Sequence, residues 1–546
     1  MPNIKRIIVC VSIVCAWCFV VVADDGYFFY VQLADKHDTP YSLANPSEYL
    51  SQRAIERRAF FGVAIDSTDL PVTPAYVSAV KNAGVSVAGK SRWTNGLTVF
   101  TSGDSSVIQN VRNLAFVTKV QYTGKRNILQ TPAPALFPKI SKTVGAGNSD
   151  NYGAAETQTK QIKADFLHNL GYRAEDVQIA VIDGGFLNAD VNAAFDSLRL
   201  QNRLLGTHDF TCSSPNVYAT EAHGANVLSI LTGNLPNQFR GTAPQAEFWL
   251  LKSEYPLSEY RVETDFWVSA IEFADSAGVD MATTSLGYAT KFTDAAMNFT
   301  YADMNGRVSR ASIAATMAAQ KGIIVCASAG NEGNKEWHYI GSPADAEGII
   351  TVGSVTATGA PSVFSSFGPT ADGRIKPEVS ALGSATYYIN TAGSTFYGDG
   401  TSYSTPVFAG AMACLLQYAK ENLSAFSLNE LFTAVFSSAN SYSAPTAQSG
   451  YGIPDFQIAV SNVNNLITNN HNKTSEVNKF FYNSKNKTVW LKKDIIGNEN
   501  ITLYSALGKI IFSKKITDEY VSLAEYNLPS GVYIVQTGNT RGKIIY

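Results

Sequence analysis

Three polar residues in the middle of the chain have the types that nucleophilic acyl transfer requires. That reaction needs a hydroxyl nucleophile, a base within hydrogen-bond reach and a group that orients the base. Asp183 directly follows the apolar run 179–182. His223 opens one helical pattern, and Ser402 begins another, apolar one. The set therefore offers an orienting carboxylate, an imidazole base and a hydroxyl in one section of the chain.

Each of these residues also has an ordinary structural explanation. An Asp after a strand commonly caps a turn or helix, a lone His is more often structural, and a Ser before an apolar helix is commonly its N-cap. Ser404 is the nearest competing hydroxyl. Pro406 is expected to be tolerated because the first turn of a helix has unpaired N–H groups anyway. Only the conjunction of the three residues favours catalysis.

Four motifs around these residues resemble those of the subtilisin-like serine peptidases. They are Ala-Val-Ile-Asp-Gly-Gly at 180–185, His-Gly-Ala-Asn-Val at 223–227, Ala-Ser-Ala-Gly-Asn-Glu-Gly at 327–333 and Gly-Thr-Ser at 400–402. The order Asp, His, Ser is also that family's, and the resemblance covers roughly residues 157–462. It implies that Ser402 is the nucleophile, that His223 is the general base and then acid, and that Asp183 orients the imidazole.

The same resemblance implies supporting roles for residues near the predicted nucleophile. Asn331 would donate its side-chain amide, together with the backbone N–H of Ser402, to the tetrahedral oxyanion. An extended peptide would add as a strand at a substrate edge formed by Ser285, Leu286 and Gly287. Ser328, Ala329 and Gly330 would line the first specificity pocket. Polypeptides are the implied substrates.

One departure from compact members of that family bears on specificity. The stretch Tyr288–Arg310 is a longer insertion after the implied substrate edge, so no subsite preference is carried over. Bound calcium is common in the family, but no Asp/Asn/Gly loop here has the spacing of a dedicated calcium site. We therefore predict no cofactor and no metal ligands; calcium stays open because its ligands are not assignable.

The elements around these residues predict an α/β domain at 152–462, with a subtilisin-like parallel sheet and helices on both faces. Strands are predicted at 177–182, 247–251, 279–284, 323–327 and 349–355, and helices include 262–277 and 310–320. Ligands bind beyond the carboxyl ends of the strands in such sheets. Asp183, Ser285 and Asn331 lie at or just past predicted strand ends.

Residues 24–124 predict a small α+β domain, followed by a linker at 125–151 that contains Pro and Gly. The domain resembles the ferredoxin-like pro-domains of secreted subtilisin-like enzymes, which assist folding and cap the active site until they are cut away. The resemblance implies a zymogen with its own pro-domain as a partner. A permanently attached accessory domain is the alternative.

Residues 479–546 alternate in strand fashion and predict an all-β module after an Asn-rich linker at 463–478. The module resembles the sorting domains that direct Bacteroidetes proteins through the type IX secretion system, on residues 501–511 and 528–535. Secretion machinery is the implied partner. The usual opening Pro-Asn-Pro is absent, and an adhesion or carbohydrate-binding module is the alternative.

Residues 1–23 are typical of a secretory signal peptide, with Lys5 and Arg6 before an apolar run and a small-residue cleavage site ending at Ala23. The run 7–22 is shorter than the roughly 18–20 residues that span a bilayer, so no membrane span is expected in the mature protein. We expect a secreted or cell-surface protein, exported across an outer membrane. Forty-two Lys and Arg against 45 Asp and Glu leave a net charge of −3, which disfavours nucleic acid as a partner.

The predicted function is a secreted serine endopeptidase that is made as a zymogen and works through an acyl-enzyme on Ser402. A catalytically silent peptide-binding protein of the same fold and a surface adhesin are the alternatives. Glu221 lies close to His223, but an acid-active peptidase with Glu as base is disfavoured because His223-Gly224 fits the neutral or alkaline pattern. Activity is expected to fall away below about pH 6, since a His base works best near its pKa of about 6.5.

Overall fold

The structure is a computed structural model that describes residues 26–126, 151–211, 216–255, 258–423, 425–471, 480–483, 487–491, 496–505, 508–538 and 540–546. The predicted signal peptide 1–23 and most of the predicted linker 125–151 lie outside these ranges. The chain divides into two compact units, one comprising the chain up to Gln417 with Ala439–Phe456, the other Tyr418–Ser438 with Gln457–Tyr546. None of the helices in the ranges given above is both long and apolar enough to cross a bilayer.

The N-terminal region folds as a four-stranded antiparallel sheet with helices. Its elements are β1 (Gly26–Leu33), α1 (Gln52–Phe61), α2 (Pro74–Asn82), β2 (Ser86–Ser91), β3 (Gly96–Ser102), α3 (Ile108–Arg112) and β4 (Val117–Arg126). The sheet order β2-β3-β1-β4 is that of a ferredoxin-like fold. Alternating apolar residues of β1 and β3, such as Val31, Leu97 and Val99, form one buried cluster with Val77 and Val80 of α2. The predicted α+β fold of this region is confirmed.

The next region contains a seven-stranded parallel sheet with helices, as predicted. Its elements are α4 (Glu156–Gln161), α5 (Ala164–Asn169), β5 (Gln178–Asp183), α6 (Asp196–Leu200), β6 (Leu204–Asp209), α7 (His223–Thr232), β7 (Asn234–Leu235), β8 (Phe239–Arg240), β9 (Glu247–Lys252), α8 (Val262–Ala277), β10 (Met281–Thr284), α9 (Arg310–Gln320), β11 (Ile324–Ser328), β12 (Ile350–Val355), β13 (Val379–Leu382), β14 (Thr386–Ile389), β15 (Thr395–Gly398) and α10 (Thr401–Asn422). The sheet order is β13-β12-β11-β10-β5-β9-β6.

Sequence analysis missed the two edge strands of this sheet. Strand β6 is only partly buried and carries Gly206, Thr207 and His208, so it lacks the apolar run of a central strand. Strand β13 is buried but has only the four residues Val379–Leu382. The central strands β5, β10 and β11 lie side by side. Their carboxyl ends therefore bring Asp183, Ser285 and the loop after Ser328 to one edge of the sheet.

The second unit contains helix α11 (Leu428–Phe436), most of helix α12 (Phe456–His471) and a β-rich region, as predicted. Its strands are β16 (Phe480–Asn483), β17 (Thr488–Leu491), β18 (Asn500–Ser505), β19 (Ile510–Lys515), β20 (Tyr520–Ser522), β21 (Val532–Thr537) and β22 (Thr540–Ile545). They form one sheet in the order β16-β17-β20 and another in the order β19-β18-β21-β22.

Helix α12 runs into segment 463–478, which the Asn-rich composition predicts to be a linker. Phe456, Ala459, Val460 and Val463 are buried at helical spacing along this helix. Residues 463–471 therefore belong to a helix, and Val463 continues its buried face; that this segment serves as a linker stays a prediction. Residues 472–479 lie outside the described ranges.

The N-terminal domain packs on helix α8 of the parallel-sheet domain. Phe28 meets Phe266 edge to face, with ring centroids 5.7 Å apart, and Trp93 and Phe100 belong to the same buried cluster. Ser51, the N-cap of α1, donates its backbone N–H to the carbonyl of Ser276 near the end of α8 at 2.9 Å. The two domains thus share one apolar core.

A buried charge network completes this interface. Asp275 of α8 is fully buried and pairs with three arginines of the N-terminal domain, Arg57, Arg58 and Arg92. Arg58 Nη2 donates to Asp275 Oδ2 at 2.7 Å. The neighbouring Glu272 accepts a hydrogen bond from the backbone N–H of Arg92 at 2.8 Å. The acidic C-terminal end of α8 is therefore complementary to a basic face of the N-terminal domain.

We expect Asp275→Ala to lower the free energy of unfolding of the full-length chain by about 3–5 kcal/mol, because three buried guanidiniums lose their shared carboxylate. Urea unfolding followed by tryptophan fluorescence measures this, in a Ser402→Ala background. Asp190→Ala, which removes an exposed carboxylate, serves as the control and should change stability by about 0.5 kcal/mol or less. Equal, small effects of both substitutions would contradict a stabilising role for the network.

Candidate active site

Asp183 and His223 form a hydrogen-bonded pair at the end of strand β5. Asp183 is the last residue of β5, and His223 is the first residue of α7. His223 Nδ1 donates to Asp183 Oδ1 at 2.8 Å, and the backbone N–H of Gly184 donates to the same oxygen at 2.8 Å. Since an ionised carboxylate only accepts, it holds the proton on Nδ1 and leaves Nε2 as the basic nitrogen.

The contact between α7 and β5 depends on Gly224. A Cβ at residue 224 would lie 2.4 Å from the carbonyl oxygen of Gly185 and 2.9 Å from Cβ of Asp183. Only a residue without a side chain lets the first turn of α7 come this close to the strand end. The sequence pair His223-Gly224 thus brings the imidazole within reach of Asp183.

The charges around His223 favour its protonated form. Burial by itself lowers the pKa of the imidazole. The charge and hydrogen bond of Asp183, together with the charges of Glu254 and Glu221, outweigh burial and raise the pKa of His223 to about 9. The neutral imidazole, which is the form that can accept a proton, therefore predominates only above about pH 9.

Ser402 lies at the N-terminal end of helix α10, at the same edge of the sheet. It is 9% exposed, and its Oγ donates to the carbonyl of Ser285 at 3.3 Å. Among the described residues, no hydrogen bond joins Ser402 to His223. The hydrogen bond between Asp183 and His223 is therefore formed, whereas the hydroxyl of Ser402 is hydrogen-bonded to the segment that follows β10.

Pro406 lies inside α10, beyond its first turn, so the sequence-based explanation for this proline is wrong. A residue with an N–H at position 406 would donate to the carbonyl of Ser402. That carbonyl instead accepts a hydrogen bond from Ser285 Oγ at 2.9 Å. Ser285 thus replaces the helical hydrogen bond that Pro406 removes, and the exchange ties the start of α10 to the end of β10.

Ser404, the competing hydroxyl, faces away from solvent. It is fully buried, and its Oγ donates to the carbonyl of Thr401 at 3.1 Å within the helix. The preference for Ser402 over Ser404 is consistent with this burial, since a buried hydroxyl bonded to its own helix is not accessible to a substrate.

Asn331 follows strand β11, and Thr401 orients its side chain. The backbone N–H and Oγ1 of Thr401 both donate to Asn331 Oδ1, at 2.9 and 3.1 Å. Because Oδ1 is held, Nδ2 points to the opposite side of the amide as a donor. Gly330 donates its backbone N–H to Thr401 Oγ1 at 3.1 Å and adopts a φ of +102°, a conformation that favours glycine. Sequence analysis missed Thr401, although it directly precedes the predicted nucleophile.

Two cavities flank the segment after β10. The first cavity, of about 310 Å³, is lined by Ser402 and Asn331 and by the predicted pocket residues Ser328, Ala329 and Gly330. The second cavity, of about 380 Å³, is lined by Asp183, His223 and Leu286. Ser285 and Gly287 line both cavities. The structure therefore brings all ten predicted site residues to one edge of the sheet, distributed over two adjoining cavities.

Charged residues that sequence analysis missed line both cavities. In the first cavity, Glu332 accepts hydrogen bonds from Lys291 at 2.7 Å and from Lys335 at 3.2 Å. Glu254 and Glu259 line the second cavity beside His223. Lys291 lies in the insertion 288–310. The sequence shows this insertion as a departure from compact family members, but it does not show that a lysine of the insertion lines the cavity. The two glutamates had no sequence signal, because they follow β9 in an irregular segment.

The described part of the chain contains no group of three or more His, Cys, Asp or Glu side chains that could hold a metal ion.

Comparison with known families gives two matches. The model of the Subtilase family matches residues 174–453. The model described as Peptidase S8 propeptide domain, Bacteroidota, matches residues 28–135. The first match contains Asp183, His223, Asn331 and Ser402, and the second begins within strand β1.

Comparison with individual proteins finds subtilisins. Subtilisin NAT of Bacillus subtilis subsp. natto is 30% identical over 260 residues, which are 47% of this chain and 59% of that protein. Subtilisin of Bacillus pumilus is 30% identical over 260 residues, which are 82% of its length. A solved structure, the MycP3 protease from the type VII (ESX-3) secretion system, matches with a TM-score of 0.43 and 18% identity, covering 56% of this chain and 88% of that chain.

We expect the His223 imidazole to titrate near pH 9 in the intact protein, which ¹⁵N-histidine labelling and NMR measure in a Ser402→Ala background. Asp183→Asn removes the largest of the charges that oppose the effect of burial, so the pKa of His223 should then fall. Asp190→Asn removes an exposed carboxylate and is the matched control. Titration of His223 near 6.5 with Asp183 in place would contradict this electrostatic account.

Proposed function

Because the chain belongs to the subtilase family, we propose that it is a serine endopeptidase that hydrolyses peptide bonds through an acyl-enzyme on Ser402. The observation that best supports this proposal is the hydrogen bond between Asp183 and His223, next to a cavity lined by Ser402 and Asn331. An oriented base, a hydroxyl and an amide donor at one sheet edge are the parts that acyl transfer needs.

The first chemical step begins with a rotation of the Ser402 side chain. Its hydroxyl leaves the carbonyl of Ser285, to which it donates at 3.3 Å, and donates to His223 Nε2 when a substrate is bound. His223 takes this proton as Oγ attacks the peptide carbonyl carbon, and Asp183 stabilises the resulting imidazolium. Asn331 Nδ2 and the backbone N–H of Ser402, which lies in the first turn of α10, donate to the oxyanion.

The second half of the reaction uses the same groups. The imidazolium of His223 gives its proton to the leaving amine, and the C–N bond breaks to leave an ester on Ser402 Oγ. A water molecule then loses a proton to Nε2 and attacks the ester carbonyl. The bond between the acyl carbon and Ser402 Oγ breaks, the carboxylic acid product leaves, and Oγ takes the proton from His223. Because the base must be neutral, activity should decline already below about pH 9, a higher threshold than the sequence alone indicates.

The substrate is a polypeptide in an extended conformation. It lies along Ser285, Leu286 and Gly287 as an added strand, with the residue before the scissile bond in the first cavity beside Ser402. Gly330 keeps the opposite wall of this cavity free of a side chain. The two lysines and one glutamate at its rim, Lys291, Lys335 and Glu332, are the charged groups that this residue meets.

The N-terminal domain acts as a pro-domain, and the enzyme is made as a zymogen. The propeptide-domain match at 28–135 and the shared buried core with α8 support this role. The signal-peptide pattern at 1–23 supports export from the cytoplasm, and the β-rich module supports sorting through an outer membrane. Cleavage is expected in the Pro- and Gly-containing segment between the two domains.

We expect Ser402→Ala to lower turnover of casein by about 10⁶-fold, the magnitude found for loss of the nucleophile in a subtilisin. Ser404→Ala is the matched control, since it removes a buried hydroxyl bonded only within its own helix. The purified chain should label with a serine-directed fluorophosphonate and cut itself between the two domains, and the Ser402→Ala variant should do neither.

A folded wild-type protein that neither labels nor cleaves, even after removal of its N-terminal domain, would contradict the peptidase proposal. A silent peptide-binding protein or an adhesin would then be the better description. N-terminal sequencing of the products separates self-cleavage from cleavage by a contaminating protease.

We expect Asn331→Leu to lower kcat by about 10²–10³-fold with little change in KM, the loss found for one oxyanion donor in a subtilisin. The replacement is close in volume and removes the Nδ2 donor. Active-site titration with the fluorophosphonate gives the concentration of competent enzyme, so misfolding does not imitate the effect. An unchanged kcat would show that Asn331 serves only the turn after β11.

A further inference from the structure

The second cavity collects carboxylates on the His223 side of the substrate edge. Glu221, Glu254, Glu259 and Asp183 line it, and His223 is the only basic residue among its described lining residues. The cavity measures about 380 Å³, which is room for a long side chain. Lys291 also acts on Glu259 and lowers its pKa, but the described lining itself has four carboxyl groups and one imidazole and is therefore acidic.

One buried polar atom beside these carboxylates also lacks a hydrogen-bond partner among the described residues. Asp183 is fully buried, and its Oδ2 has no such partner, although Oδ1 is held by His223. Asp183 lines the cavity. An unpaired acceptor therefore lies beside the space that an occupant would fill.

Two carboxyl groups of this cavity have raised pKa values. Burial and the charges of Glu259 and Asp183 raise the pKa of Glu254 to about 8. Burial likewise raises the pKa of Glu259 to about 7. A cation that enters the cavity can take the place of their protons and hold both carboxyls in their ionised form.

The arrangement fits an organic cation better than a metal ion. No three of the acidic, His or Cys side chains in the described ranges are grouped closely enough to hold a metal. The carboxylates are spread around a cavity instead of converging on one point. An ammonium or guanidinium on a flexible stem can reach such separated acceptors, because its several N–H groups donate in different directions.

The geometry of the substrate edge determines which substrate residue reaches this cavity. Successive side chains of an extended peptide point to opposite faces. Ser285 and Gly287 separate the two cavities, so neighbouring substrate residues enter different ones. The residue before the scissile bond fills the first cavity beside Ser402, and the residue before that one points toward His223 and the second cavity.

We propose that the enzyme selects Lys or Arg as the second residue before the scissile bond, bound by the carboxylates of Glu221, Glu254 and Glu259. This inference rests on the proposed peptidase function and names its substrate class. The three glutamates act as specificity-determining residues, and the reaction itself still proceeds through Ser402.

The test uses four internally quenched peptides that differ only in this residue, which is Lys, Arg, norleucine or Glu. Norleucine matches the aliphatic length of Lys without its charge. At pH 8.5 we expect kcat/KM for the Lys and Arg peptides to exceed that for norleucine by about tenfold or more, and the Glu peptide to be the poorest. Concentrations are those of active enzyme from fluorophosphonate titration.

The glutamate variants assign the preference to the cavity. Glu254→Gln and Glu259→Gln keep the side-chain shape and should each lower the Lys-to-norleucine ratio by about threefold or more. Glu347→Gln removes an exposed glutamate that lines neither cavity and should leave the ratio unchanged. Because a ratio is compared within each variant, a lower yield of folded enzyme does not alter the outcome.

The outcomes separate this inference from the proposed function. A wild-type ratio near one, with the norleucine peptide cleaved, overturns the inference and leaves the peptidase function standing. A high ratio that neither glutamine variant reduces also overturns it, since the selection then lies elsewhere. Failure of all four peptides together with no fluorophosphonate labelling would instead count against the peptidase function.

Discussion

The hydrogen bond between Asp183 and His223 sets the conditions for the rest of the site. It requires a buried carboxylate at a strand end and an imidazole on the first turn of a helix, 2.8 Å apart. Strand β5, in the interior of the parallel sheet, ends on the buried carboxylate. The absence of a side chain at Gly224 lets the helix that carries the imidazole approach this strand end. Because the neighbouring strands β10 and β11 end at the same edge, Ser285 and Asn331 fall beside this pair without further adjustment.

Two carboxylates of the second cavity also act on the base, His223. Glu254 and Glu221 contribute to the raised pKa of His223 and also line the cavity proposed to take a basic side chain. A positive charge bound there opposes the charges that hold a proton on His223. The protonation of the imidazole and the acidity of the cavity therefore depend on the same carboxylates.

Buried ion pairs stabilise the interface between the N-terminal domain and helix α8. Charges buried between two domains stabilise their contact only when every partner is present, since an unpaired buried ion keeps its desolvation penalty. Asp275 and its three arginines meet that condition, and the shared cluster around Phe28 and Phe266 excludes water from them. Removal of the N-terminal domain would leave Asp275 and Glu272 as solvated acidic residues on α8. The ion pairs of Asp275 therefore stabilise the interface together, and loss of one partner weakens the stabilisation from the others.

The sequence by itself determined the class of fold, the central strands and the position of Asp183, Ser285 and Asn331 at or just past strand ends, because apolar runs with polar residues at their ends are local patterns. The roles of His223 and Ser402 were implied by the resemblance to the subtilisin-like serine peptidases. Only the tertiary structure decided that Thr401 orients Asn331, that Ser285 replaces the hydrogen bond removed by Pro406, and that Glu254 lies beside His223. These contacts join residues far apart in the chain. An acidic residue in a sequence has the same appearance on a solvated surface and in a buried cavity, and only the packing of other elements around it decides between the two.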